Sequence, residues 1–179
     1  MRPVRMLWKR HYEQHWSETV DSLFNLYDYE TAARDKLSAM AYSYYEGGAG
    51  DSLSRDANRR AYDELTIWPH VGVDVSERDL STTVLGQQIS MPLLVAPTAM
   101  AALAHPDKEL GITQAVQDAG LIMTTSTLST TSVEKLGAIG APLWFQLYIH
   151  RDRGLTQALV ERAEASGCTA LVLTLDVPV

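Results

Sequence analysis

Cysteine is almost missing from this chain of 179 residues: Cys168 stands alone. One thiol excludes an intrachain disulfide framework and a cysteine-based metal cluster. Long apolar runs are missing too, none approaching the roughly 18–20 residues that a membrane-spanning helix needs. Positive charge is scarce, with 15 Lys+Arg against 22 Asp+Glu and a net charge of -7. An acidic balance of that kind argues against a nucleic-acid binder, which needs a basic face. No G-x-G-x-x-G turn occurs anywhere, which removes the dinucleotide-binding fingerprint. Arg2, Arg5, Lys9 and Arg10 open the chain, but no apolar segment follows them. Neither a secretory signal nor a transit peptide fits, and the cytoplasm is the expected compartment. What is present, 46% hydrophobic and 21% charged residues, is the composition of a globular chain.

Residues 1–22 read as a loose, disordered extension, with organised sequence from Leu23 onward. Ala33, Leu37, Met40, Ala41 and Tyr44 follow the spacing of one amphipathic helix over 29–45. The glycines of Glu46-Gly-Gly-Ala-Gly-Asp end it. A second helix is predicted from Leu53 to Leu65, then an extended approach over Ile67 to Ser76 and a short hairpin around Gly86. From Met91 the texture changes. Leu93-Leu-Val-Ala, Leu121-Ile-Met-Thr-Thr, Leu143-Trp-Phe-Gln-Leu-Tyr and Thr169-Ala-Leu-Val-Leu-Thr-Leu are short apolar runs suited to buried strands. Between them lie helical patterns. One has Pro106 in its first turn, Leu110, Thr113, Val116 and Ala119 on one stripe, and Gly120 at its end. A second opens on a capping-box spacing, Thr131 to Glu134. The third is capped by Asp152, with Leu155, Leu159 and Ala163 on its apolar side and Gly167 after it.

Four alternations of strand and helix, about 20–30 residues apart, are the signature of a parallel α/β sheet. A doubly wound sheet and a (β/α)8 TIM barrel both alternate this way. The missing glycine fingerprint favours the barrel, but a whole barrel takes about 250 residues. The sequence therefore predicts the N-terminal helices and the first four β/α units of one, over 23–179.

Barrel enzymes carry their chemistry at the carboxyl ends of the strands. That rule singles out Thr98 and Ala99, Ser126, Gln146 and Tyr148, and Thr174 and Asp176. Alternation points Gln146 and Tyr148 the same way, and likewise Thr174 and Asp176. Hydroxyls and amides with one carboxylate, and no metal-ligand cluster, suit a polar heterocycle held by hydrogen bonds. Each also has a plainer reading: a turn or cap for the Ser and Thr residues, a satisfied core amide for Gln146, a helix cap for Asp176, a core aromatic for Tyr44.

The segments themselves carry a resemblance. Tyr42-Ser-Tyr-Tyr-Glu-Gly-Gly-Ala-Gly-Asp, Asn58-Arg, Met91-Pro-Leu-Leu-Val-Ala-Pro-Thr-Ala-Met, Ala104-His-Pro, Ser126-Thr-Leu-Ser-Thr, Trp144-Phe-Gln-Leu-Tyr-Ile and Leu173-Thr-Leu-Asp-Val-Pro occur in that order. Together they resemble the FMN-dependent α-hydroxy acid oxidase/dehydrogenase family. The resemblance implies oxidation of a small (S)-2-hydroxy acid, lactate- or glycolate-like, to the 2-oxo acid. Electrons would then pass to oxygen or another acceptor. It implies FMN as cofactor, with the backbone of Pro97, Thr98 and Ala99 along the ring. Ser126, Gln146 and Thr174 would sit on the ring's pyrimidine edge. Tyr44 would bind the substrate carboxylate, Tyr148 would contact the substrate, and Asp176 would orient a catalytic histidine.

In that family the histidine base, its neighbouring arginine, a lysine beside the flavin and the phosphate site all lie later in the chain. His11, His15, His70, His105 and His150 match none of them. His105 reads as a capping or loop residue and His150 as a surface loop residue. The chain alone is expected to be inactive and to bind FMN weakly or not at all. A non-catalytic half-barrel needing a separate C-terminal partner is the alternative, and another FMN barrel such as a type-II isopentenyl diphosphate isomerase is a third. Full-length relatives are expected to be homotetramers.

Overall fold

A computed structural model describes residues 23–176. These fall into two compact units that divide between Asp79 and Leu80. Residues 1–22 and 177–179, including the predicted N-terminal extension, His11 and His15, lie outside the described residues.

The first unit is helical. α1 (Leu26–Lys36) begins at Asn25, whose side chain accepts from the N–H groups of Tyr27 and Asp28, while the Asp28 carboxylate accepts from the Asn25 N–H. This reciprocal cap satisfies N–H groups that the first turn leaves without partners. α2 (Ala39–Glu46) follows after a break, which corrects the single helix predicted over 29–45. The apolar spacing runs straight through, but Leu37 is extended (φ -80, ψ 150) and Ser38 Oγ accepts the Ala41 N–H at 3.2 Å. A serine that caps its own helix competes with continuation of the previous one. α3 (Leu53–Asp63) stops two residues short of Leu65, which is exposed. Arg55 ties it back to α2, donating to the Glu46 backbone oxygen at 2.7 Å and to the Glu46 carboxylate. Arg59 reaches Glu30 of α1 at 3.1 Å. No regular element spans 65–81, so the predicted extended approach contains no strand.

The second unit opens with the predicted hairpin, β1 (Thr82–Val84) paired antiparallel with β2 (Gln87–Ile89). Leu85 and Gly86 form its two-residue turn, both left-handed at φ 47 and 79. That is the twist a tight hairpin prefers, and glycine supplies half of it without strain. Gln87 Oε1 accepts from the Trp144 indole N–H at 2.8 Å, anchoring the hairpin to the main sheet.

That sheet contains β3 (Leu94–Val95), β4 (Ile122–Thr125), β5 (Leu143–Leu147) and β6 (Cys168–Leu173), all parallel and in sequential order. Sequential order without reversal is the order of a barrel wall rather than of a doubly wound sheet. α4 (Lys108–Ala119), α5 (Val133–Gly137) and α6 (Arg153–Ala165) connect the strands. Alternation sends Met123, Leu143, Phe145 and Leu147 toward the helices. Met123 and Leu143 pack with Val116, Leu121 and Leu136, and Phe145 and Leu147 with Val133 and Ala163. Each such large side chain contributes about 1.5–3 kcal/mol through burial. Cys168 packs against both clusters; it is half-buried, and burial pushes its thiol up to about 11.

Several helix boundaries differ from the sequence reading. Pro106 lies ahead of α4 rather than in its first turn, since Asp107 is the capping position. The buried stripe of α4 is Glu109, Thr113 and Val116, with Ala119 packed against the core; three of the four predicted positions hold, and only at the first does Glu109 replace Leu110, which is exposed. The Thr131–Glu134 capping box does not form. Ser132 is the cap residue, the Thr131 hydroxyl goes to Glu109, and Glu134 pairs with Arg162 at 2.7 Å. Distant partners outcompete the local cap. Asp152 does cap α6, its Oδ1 accepting from Gly154 and Leu155 N–H groups at 2.8 and 3.3 Å.

Gly137, at the end of α5, is the tightest approach in the unit: a Cβ there would lie 2.3 Å from the Ser166 backbone oxygen. Overpacking of this kind costs typically about 1–3 kcal/mol. Gly137→Ala is expected to lower the unfolding free energy by that amount, read as a lower urea midpoint at an unchanged slope; an unchanged midpoint would show that the α6–β6 turn yields freely.

Candidate functional site

Parallel strands place the residues that follow them at one end of the sheet. There Ser126, Gln146 and Thr174, from the ends of β4, β5 and β6, join in a hydrogen-bonded chain. The Ser126 hydroxyl donates to Gln146 Oε1 at 3.2 Å, and Gln146 Nε2 donates to Thr174 Oγ1 at 2.7 Å. Gln146 and Ser126 are only 2% and 6% exposed, so these bonds satisfy groups that would be costly to bury alone. The Leu128 N–H donates to Ser126 Oγ at 3.1 Å, and the Thr174 N–H to the Leu147 oxygen at 3.2 Å.

Thr127, which the sequence reading passed over, completes the array. Its N–H donates to Gln146 Oε1 at 3.1 Å, its hydroxyl to the Gln146 backbone oxygen at 2.5 Å, and it accepts the Tyr148 N–H at 3.2 Å. Tyr148 therefore follows β5 rather than extending it, half-buried. A second hydroxyl beside Ser126 at a strand end was the only signal in the sequence.

The other candidates are arranged as follows. Pro97 and Thr98 are exposed and Ala99 is half-buried in the loop after β3. Met100 in that loop is left-handed (φ 56), and its N–H donates to the Leu128 oxygen at 3.1 Å. Asp176, exposed, lies two residues beyond Thr174. Tyr44 is on α2 in the helical unit, 46% exposed and edge-to-face with Tyr45 at 5.1 Å. His105 accepts the Asp107 N–H through Nδ1 at 3.1 Å, a loop role, and the His150 N–H donates to Thr156 Oγ1. His70 is exposed.

Glu109 is the second residue that the pattern concealed. It is 1% exposed on the buried face of α4. Oε1 accepts from the Ala101 N–H (3.2 Å), the Thr130 N–H (2.8 Å) and the Thr130 hydroxyl (3.0 Å); Oε2 accepts from the Thr130 and Thr131 hydroxyls, both at 2.8 Å. Burial pushes its carboxyl up, but the bonds from Thr130 and Thr131 outweigh that and hold it at about 2 instead of 4.5. Its position in the i, i+4, i+7 row with Thr113 and Val116 was the available signal; the neighbouring Leu110 masked it.

On the helix side of the same strands lies a cavity of about 140 Å³, lined in part by Thr125, Ser132, Val133, Phe145, Leu159 and Arg162. Thr125 Oγ1 is buried there without a hydrogen-bond partner. Such a hydroxyl costs about 1–3 kcal/mol, so Thr125→Val is expected to leave the thermal midpoint unchanged or raise it. A fall of several degrees would show that this hydroxyl is satisfied in solution. Among the described residues no His, Cys, Asp or Glu cluster could hold a metal ion, and no helix is long and apolar enough to cross a membrane.

Uncharged hydroxyls and amides at the carboxyl end of a sequentially ordered parallel sheet define the class: part of a (β/α)8 barrel with an end suited to a polar heterocycle. Residues 33–179 match the FMN-dependent dehydrogenase family, and the chain belongs to it. An L-lactate oxidase from Nostoc sp. is 48% identical over 165 residues, covering 89% of this chain and 45% of the relative. Glycolate oxidase 3 from Arabidopsis thaliana is 46% identical over 155 residues, covering 86% and 42%. A crystal structure of mandelate oxidase superimposes with a TM-score of 0.83 at 39% identity, over 88% of this chain and 46% of that one. The chain thus spans less than half the length of these relatives. The family depends on FMN, and the donor set fits that group. Gln146 Nε2 gives one of its two hydrogens to Thr174, whose own hydroxyl proton remains to be donated. A ring edge carrying carbonyl oxygens calls for such donors.

Proposed function

We propose that this chain supplies the cofactor-binding part of an enzyme that oxidises a small (S)-2-hydroxy acid, lactate- or glycolate-like, to the 2-oxo acid. The observation that carries the reading is the Ser126–Gln146–Thr174 chain across three strand ends. When bound, FMN supplies the acceptor for the equivalent of a hydride from the substrate carbon. Ser126, Gln146 and Thr174 hydrogen-bond the pyrimidine edge, exchanging some of their mutual bonds for bonds to the ring and favouring its electron-rich form. The backbone of Pro97, Thr98 and Ala99 lines the ring. Tyr44 binds the substrate carboxylate through its hydroxyl, and Tyr148 contacts the substrate beside the ring. Asp176 accepts a hydrogen bond from a histidine base and stabilises its imidazolium. Leu128, half-exposed in the loop after β4, sets substrate size in part. The histidine base, the substrate-binding arginine and the phosphate site come from the half of the barrel that these residues do not include.

The test is complementation. Residues 1–179 alone are expected to bind FMN weakly and to show no turnover. Fused to the remaining part of the Nostoc lactate oxidase, they are expected to give a flavoprotein that L-lactate or glycolate bleaches anaerobically. A correctly folded fusion that retains FMN but is bleached by no 2-hydroxy acid would overturn the reading.

A further inference from the structure

We propose that Glu109 is a positioning residue: its buried carboxylate locks the loop after β3 onto the loop after β4, fixing the two segments that face the cofactor. The inference rests on the flavin reading above for its purpose, but its geometry stands apart. One carboxylate takes four donors from three residues on two loops: the Ala101 N–H after β3, and the Thr130 N–H and the Thr130 and Thr131 hydroxyls after β4, with the single Thr130 hydroxyl within reach of both carboxylate oxygens. A fifth bond, from the Ala102 N–H to Thr130 Oγ1 at 3.2 Å, extends the same junction. Every donor to Glu109 is a neutral N–H or O–H, so the charge is solvated by the loops themselves. Removing it would leave two buried donors, the Ala101 N–H and the Thr131 hydroxyl, without this acceptor.

Both loops carry candidate cofactor contacts within a few residues of the junction. Thr98 and Ala99 precede Ala101 by three and two positions; Ser126 precedes Thr130 by four. Between Ala99 and Ala101 stands Met100, left-handed at φ 56, with its N–H on the Leu128 oxygen. A non-glycine residue holds that conformation only where its surroundings over-determine it. The Ala101 N–H held by Glu109 on one side and the Met100 N–H held by Leu128 on the other provide that restraint. Thr113 Oγ1, donating to the Glu109 backbone oxygen at 2.8 Å, keeps the carboxylate's own turn of α4 fixed. A carboxylate that only stabilised the helix could face solvent. This one is turned inward.

Amide hydrogen exchange on the chain without added flavin reads the lock directly. Glu109→Gln is expected to accelerate exchange over 98–103 and 127–132 by about tenfold relative to the amides of β4 and β5, the equivalent of one lost charge-assisted hydrogen bond. Thr131→Val, which removes a single donor to Oε2, is expected to accelerate 127–132 by a smaller factor, and it decides the matter if Glu109→Gln does not fold. Unchanged loop exchange, or acceleration spread equally over loops and core strands, would overturn the proposal. FMN titration of the lactate oxidase fusion separates the two readings. A wild-type fusion that folds without binding FMN sinks the flavin assignment, leaving exchange to judge Glu109. A fusion that binds FMN is expected to lose about tenfold in affinity on Glu109→Gln and to regain part of it in Glu109→Asp. Equal affinity in all three would remove the link from the lock to the cofactor.

Discussion

Acidification from pH 4.5 to pH 2 is expected to remove about 3 kcal/mol of folding stability through Glu109 alone. Its carboxyl is held at about 2 in the folded chain against 4.5 ordinarily, and each unit of difference is worth about 1.4 kcal/mol. The sign follows from which state binds the proton first. The unfolded chain takes it up near 4.5 and the folded chain only near 2, so the contribution is fully present above 4.5 and fades as the pH falls between them. At neutral pH, Glu109→Gln should be less stable than wild type by a similar amount, and the two should converge toward pH 2. Glu134, held low by Arg162, titrates in the same window in both proteins and cancels from the comparison. Denaturant midpoints at several pH values test this; a wild-type minus variant difference constant across the window would contradict it.

Gln146→Leu is expected to have the largest effect on the cofactor. The leucine keeps the bulk but loses an oxygen that accepts from Ser126 and Thr127 and a nitrogen that donates to Thr174. Unsatisfied buried donors cost about 1–3 kcal/mol, so the variant should be destabilised by that order. In the lactate oxidase fusion, loss of about two ring contacts should weaken FMN binding on the order of 10–100-fold. Flavin fluorescence quenching gives the affinity. Undiminished binding would remove Gln146 from the cofactor contacts and leave it as a satisfied core amide.

The parallel sheet was legible because four apolar runs bounded by turn residues leave little else for the chain to do. The hairpin could be read from a glycine between alternating residues, and the cap of α6 from an aspartate ahead of a periodic run. Where reading failed, a distant group had taken a local partner. Thr131 and Glu134 have the spacing of a cap, yet one is drawn to Glu109 and the other to Arg162, 22 and 28 residues away. Ser38 breaks a helix that hydrophobic spacing alone would continue. Ser126, Gln146 and Thr174 were legible as strand-end residues, but the bonds that link them were not. Thr127 and Glu109 look like ordinary surface residues until the loops fold over them.

The sole thiol offers a way to watch the sheet open. Cys168 lies where the two apolar clusters meet, and burial, by pushing its thiol up to about 11, makes its thiolate scarcer at neutral pH than that of an exposed cysteine. Alkylation needs the thiolate, so iodoacetamide should modify it mainly when β6 swings away from α6. Its labelling rate is then a clock for that edge, and no second cysteine has to be removed to read it.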